Sequence, residues 1–120
     1  MLWGSGSSIY GTAGIYCNPA TDVVFASGFQ VASDLRLKSN IQDSNYGLSE
    51  VLQLRSVQYD RNENHEIGLI AQEVETVLPE FVKEGQDGIK SVNYSQMVSV
   101  LIKAVQELSA EVESLKKQLG

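Results

Sequence analysis

A chain of 120 residues has the length of a single domain with a modest core. Its 42% hydrophobic and 20% charged residues are the mix of a folded protein rather than a disordered one, and its net charge of −6 argues against a nucleic-acid surface, which needs clustered Lys and Arg. The lone Cys17 excludes an intrachain disulfide and a multi-cysteine zinc site, and no apolar run approaches the ~20 residues that span a bilayer.

The charge is unevenly spread. Before Ser33 the only charged residue is Asp22, whereas all nine Lys and Arg lie from Ser33 onward. The opening M-L-W-G-S-G-S-S has neither a basic segment nor an apolar core and does not read as a signal peptide. The stretch from Ile9 to Ala32 breaks short β-branched and aromatic runs with Gly, Asn-Pro and Ser-Gly, which predicts strands and turns. Too short to stand alone, it reads as the end of a larger β-rich body or as strands that need partners from another chain, with Cys17 a small apolar filler in a strand.

Beyond Ser33 the pattern is mixed. Leu48, Val51 and Leu52 fall at helical spacing and predict a short amphipathic helix. S-V-Q-Y-D-R alternates like a strand, and N-E-N-H-E reads as a polar turn. I-G-L-I-A-Q-E-V-E-T-V-L-P predicts a buried strand running into a helix that Pro79 stops, since the residue before a proline is pushed out of the helical region. G-Q-D-G predicts a loop, and I-K-S-V-N-Y leads into the last element.

That element is the most regular in the chain. Tyr94, Val98, Leu101, Val105, Leu108, Val112, Leu115 and Leu119 are separated alternately by four and three residues, a heptad seam. Val98, Val105 and Val112 occupy a positions and Leu101, Leu108 and Leu115 occupy d; Glu111 at g and Lys116 at e are placed to pair between chains. The strict 3.5-residue period favours self-association over a helix lying on its own domain, whose face would drift toward 3.6. By itself, Val at a with Leu at d is a dimer code.

Ser33 and Lys38 are the candidates for chemistry. A serine hydroxyl needs a base to become a nucleophile, and lysine can be that base only where burial favours its neutral amine. Leu35 and Leu37 are expected to supply an apolar setting. The alternative is structural: S-D-x-R is good helix-capping chemistry, with Lys38 a solvated residue after the turn.

Three blocks in order, S-D-L-R-L-K-S-N-I, I-G-L-I-A-Q-E-V-E-T-V-L-P-E and G-I-K-S-V-N-Y-S-Q-M-V-S-V-L-I-K-A-V-Q-E-L, closely resemble the C-terminal intramolecular chaperone domains of phage tail spikes, tail fibres and neck appendages. Endosialidase tail spikes are the best-known case, and myelin regulatory factor carries a cellular version. The resemblance runs from Ser33 to the C-terminus; the segment before it matches only loosely. It implies a domain that drives three copies of a fibrous protein to trimerise and fold, then cuts itself off before the serine. Ser33 then matches the nucleophile and Lys38 the general base, and the scissile bond is Ala32–Ser33. The only histidine, His65, is the rival base, but the resemblance assigns that role to lysine. His65 is otherwise a turn residue or a supporting group at the site, Gln72 and Glu73 are an exposed helix face or a pair that orients Lys38 or a backbone group, and Asp34 is a group near the developing oxyanion or a helix cap.

The expected fold is α+β: a β-strand stalk end over 1–32, a small mixed chaperone and auto-peptidase core over 33–90, and a trimeric coiled-coil helix over 91–120. The expected partners are the other copies and the upstream fibre segment as folding client, with no nucleic acid, membrane, metal or cofactor. Assembly is expected in the host bacterial cytoplasm, with the mature fibre on the virion and the released chaperone not retained. Two rivals remain open. One is a permanent trimerisation module that is never cut. The other is a fibre tip that binds a receptor through Trp3, Tyr10, Tyr16, Phe25 and Phe29.

Overall fold

The computed structural model describes residues 14–20 and 22–120, and the chain divides into two compact units that part between Ile41 and Gln42. Trp3 and Tyr10 lie outside the described residues. The architecture is α+β: antiparallel strand pairs and a long C-terminal helix.

In the first unit, β1 (Ile15–Asn18) and β2 (Val23–Ala26) form an antiparallel hairpin that pairs Tyr16 with Phe25 and Cys17 with Val24. The Asn-Pro turn is held by Asn18, whose Oδ1 accepts from the Ala20 N–H at 3.0 Å and whose carbonyl accepts from the Asp22 N–H at 2.8 Å. The rings of Tyr16 and Phe25 stack with centroids 4.9 Å apart, a cross-strand aromatic pair. Both remain exposed, as does Val24, so the hairpin has no core of its own. Further along, Leu35–Leu37 make one 3-10 turn.

The second unit is built on Val74 and Leu78, both fully buried, and Met97. Val74 and Leu78 are four apart, so they share one face of α2 (Ala71–Val77) and its C-cap. Tyr46, Leu54, Leu69, Val77, Phe81, Val82 and Val92 pack around them. Leu78 leaves the helical region before Pro79, which opens a second 3-10 turn, Pro79–Phe81, so the proline stop acts where expected. The strand pair β5 (Val82–Glu84) and β6 (Lys90–Val92) encloses the Gly85–Gly88 loop. The predicted short helix is present as α1 (Leu48–Val51).

Two expectations are corrected. N-E-N-H-E is not all turn: only Asn62 and Glu63 connect β3 (Val57–Arg61) to β4 (Asn64–Gly68), and Asp60 pairs with His65 within the ladder. Asn62 and Glu63 both have positive φ, 51° and 68°, which gives the two-residue turn whose twist matches its strands. Nor is I-G-L-I a buried strand. Ile67 is 68% exposed, because β3 and β4 form a free two-stranded ribbon and only Leu69, beyond its end, reaches the core. At that end Gly68 is required by close approach: a Cβ there would meet the Tyr94 hydroxyl at 2.8 Å, and that hydroxyl accepts from the Leu69 N–H at 2.9 Å.

The last helix, α3, spans Tyr94–Leu119. Asn93 caps it, its Oδ1 accepting from the Gln96 N–H at 3.1 Å, and the Asn93 N–H donates to the Phe81 carbonyl at 2.8 Å. The face it buries is Met97, Val100 and Ala104, so the start of α3 belongs to the core rather than to a separate module. Where α1 approaches α3, Glu107 Oε1 accepts from the Leu48 N–H at 2.7 Å and would collide with any Cβ on Gly47. The Lys103 ammonium donates to the Ser44 carbonyl. The heptad seam is a different face. Val98, Leu101, Val105, Leu108, Val112 and Leu115 are all 43–65% exposed, and nothing beyond Ala104 is buried. Lys116 lies 3.7 Å from Glu113 on its own helix.

Surface carboxylates tie α2 and its flanks to the rest. Arg55 donates from Nε and Nη2 to Glu73 at 3.3 and 2.6 Å, and this holds the Glu73 carboxyl below its ordinary range. The Tyr46 hydroxyl donates to Glu80 Oε1 at 2.6 Å, lowering Glu80 and raising the phenol.

Two outcomes are expected. Leu78→Ala leaves a cavity in a closed site and costs about 2–5 kcal/mol, read as a lower urea midpoint of the helical circular-dichroism signal. Because Glu73 and Glu80 have lowered values in the fold, their contribution is present at neutral pH and is lost as pH falls below the ordinary glutamate value of about 4.3. The urea midpoint therefore drops between pH 6 and pH 3, and Glu73→Gln makes that drop shallower.

Candidate active site

Ser33 and Lys38 meet. Lys38 Nζ donates to Ser33 Oγ at 2.5 Å, across the 3-10 turn that separates them. The turn forms because Asp34, extended at φ −65° and ψ 140°, is its N-cap: Asp34 Oδ1 accepts from the Arg36 N–H at 2.8 Å. The cap is thus Asp34 rather than Ser33, whose hydroxyl is left to face the lysine. Arg36 closes on the same carboxylate, Nε to Oδ1 at 3.0 Å and Nη2 to Oδ2 at 2.9 Å. The guanidinium holds the Asp34 carboxyl below its ordinary range, and the carboxylate raises Arg36 in return.

The surroundings depart from expectation. Leu35 and Leu37 are each 70% exposed and every residue from Val31 to Asn40 is open to solvent, so the apolar setting expected for Lys38 is not formed among the described residues. The bond between Ala32 and Ser33 is correspondingly accessible.

Of the other candidates, His65, Gln72 and Glu73 lie in the second unit. His65 is on β4, its Nδ1 3.1 Å from Asp60 Oδ1 and its Nε2 3.0 Å from Gln58 Oε1. Gln72 is exposed on α2, and Glu73 is taken by Arg55. Asp34 serves the turn. Arg36 was not singled out by sequence reasoning. The D-x-R spacing was the available signal, since a carboxylate that caps a turn can also receive the guanidinium two residues on. Among the described residues no group of His, Cys, Asp and Glu is placed to hold a metal, and no helix is long and apolar enough to cross a membrane.

Comparison with known proteins gives this geometry a context. The family described as chaperone of endosialidase matches residues 33–83, opening at Ser33 itself. Long tail fiber protein Gp37 of Enterobacteria phage K3 is 35% identical over 105 residues, covering 78% of this chain and 8% of that protein. The protein of the same name from Enterobacteria phage Ox2 is 35% identical over 103 residues, covering 75% and 41%. That of Salmonella phage S16 is 34% identical over 124 residues, covering 98% of this chain and 15% of that protein. The chain therefore spans less than half the length of each of these relatives. Residues 33–83 of this chain are thus similar to the chaperone-of-endosialidase family, and the match opens at the serine that meets Lys38.

Proposed function

We propose that the chain is an intramolecular chaperone that trimerises and folds a phage tail fibre, and then removes itself by cutting the Ala32–Ser33 bond. The observation that carries this reading is the coincidence at Ser33. The family match begins there, and the hydroxyl there holds the amine of Lys38 at 2.5 Å.

The chemistry is intramolecular. Ser33 Oγ–H gives its proton to a neutral Lys38 amine, and Oγ attacks the carbonyl carbon of Ala32 through a five-membered ring. The C–N bond breaks, the leaving nitrogen takes a proton from Lys38, and an ester joins Ala32 to the Ser33 side chain. Water then hydrolyses the ester, leaving a carboxylate on Ala32 and restoring the hydroxyl. Holding nucleophile and carbonyl in adjacent residues makes the attack unimolecular, a large advantage over a free alcohol.

What a lone chain lacks is desolvation. A lysine in water keeps its proton, so the pair needs cover before it can act. The unpartnered seam of α3 supplies the means, because three copies joined along Val98, Leu101, Val105, Leu108, Val112 and Leu115 bring further surfaces together. Under this reading the cut reports that assembly is complete. The upstream fibre segment is the folding client, assembly takes place in the host cytoplasm, and the mature fibre goes to the virion without the released domain. The exposure of Lys38 favours one competing reading, a permanent trimerisation module.

Intact-mass spectrometry separates the two. The 13.1 kDa chain is expected to give a fragment lacking residues 1–32, and Ser33→Ala and Lys38→Ala each to stay whole. A chain that is trimeric yet uncut in all three forms is a permanent module. Leu101→Asp combined with Leu108→Asp is expected to yield monomers by sedimentation velocity and to abolish the cut. Cutting at an undiminished rate in such monomers defeats the coupling between assembly and cleavage.

A further inference from the structure

Ser33 and Lys38 are five residues apart. On an extended chain their Cα atoms would stand about 17 Å apart, too far for the side chains to meet. They meet because the turn Leu35–Leu37 folds back between residues that are themselves extended, Asp34 before it and Lys38 (φ −124°, ψ 150°) after it. The turn has little to hold it. Its backbone bonds are two, Leu37 N–H to the Asp34 carbonyl and Lys38 N–H to the Leu35 carbonyl, both 3.0 Å. None of its residues is buried. A first helical turn is unfavourable in water, because several dihedrals are fixed for each bond gained.

What remains to hold it is one carboxylate. Asp34 accepts three hydrogen bonds from Arg36, one from its backbone N–H and two from its guanidinium. The first satisfies an N–H that the turn would otherwise leave open, and the other two are the fork geometry of a charge-assisted pair. All three lie inside the loop that joins Ser33 to Lys38.

We propose that Asp34, locked by Arg36, is the positioning residue of the Ser33–Lys38 pair: it keeps the turn formed and so presents the lysine amine to the serine hydroxyl. Its effect on cutting rests on the self-cleavage reading, whereas its hold on the turn does not. Because the backbone N–H needs only an oxygen, Asn and Ser at this position retain most of the effect and Ala retains none.

Two measurements on the full chain test this. In a Ser33→Ala background, which has no nucleophile, NMR reads amide exchange at Leu37 and Lys38. Asp34→Ala is expected to speed both several-fold, Asp34→Asn to restore protection, and Arg36→Ala to fall between. With Ser33 present, Asp34→Ala is expected to slow the appearance of the fragment 33–120 roughly tenfold. Asp34→Asn should recover most of that rate, with sedimentation and urea midpoint unchanged throughout. Unaltered exchange in Asp34→Ala overturns the clamp, whether or not the chain cuts itself. Faster exchange with an unaltered cutting rate overturns its positioning role. Exchange that responds as expected in a chain that never cuts supports the clamp and defeats the self-cleavage reading instead.

Discussion

One helix carries two apolar faces set a single residue apart, and residues 42–120 are arranged around one of them. Met97, Val100 and Ala104 are buried, and Met97 packs with Val74 and Leu78. Val98, Leu101 and Val105 follow each by one position, so they are rotated by about 100° and point elsewhere. A globular helix needs one apolar stripe. The second stripe, continued by Leu108, Val112 and Leu115 beyond the last buried residue, leaves Val and Leu in water at a cost of about 25 cal/mol per Å². Contiguous exposed apolar surface of this kind marks an interaction site rather than scattered surface leucines. The chaperone reading places the other copies there.

The core face also explains why small residues sit where they do. Gly47 lets α1 and α3 come close enough for Glu107 to cap the Leu48 amide, and Gly68 admits the Tyr94 hydroxyl to the Leu69 amide. Tyr94 thus has two roles: it heads the seam and also ties the end of the β3–β4 ribbon to the first turn of α3. Core packing and the seam are anchored in the same turn of helix.

The candidate site has the opposite character. Its geometry is local, made by six consecutive residues and one 3-10 turn, while its environment is open. The serine and lysine are in contact but without the apolar cover that a lysine base needs. Under the self-cleavage reading, separating geometry from desolvation suits a reaction that should run once and only after assembly. The pairing is ready in each chain, and the missing ingredient is exclusion of water, which a folded trimer is proposed to bring.

Much of this was legible in order along the chain, wherever the cause is local. The α1 spacing of Leu48 and Val51, the alternation in β3, the Pro79 stop, the Gly85–Gly88 loop and the heptads of α3 all follow from neighbours a few residues apart. So does the Ser33–Lys38 contact, which a single turn can make, and the family resemblance starting at Ser33 is written in the same residues. Burial was not legible in this way. Ile67 looked like core and is exposed, because only tertiary structure decides that the β3–β4 ribbon stays two-stranded; Leu35 and Leu37 looked like cover for Lys38, but both are 70% exposed. The use of His65 by Asp60 and Gln58, of Glu73 by Arg55 and of Glu107 by the Leu48 amide joins residues whose spacing carries no signal. The sequence by itself determined most of the elements apart from β4, and the seam, because dihedral preference and periodicity act over one or two turns, while the serine and lysine were marked by the resemblance. Only the tertiary structure decided which apolar residues are sheltered, because shelter depends on what arrives from elsewhere in the chain.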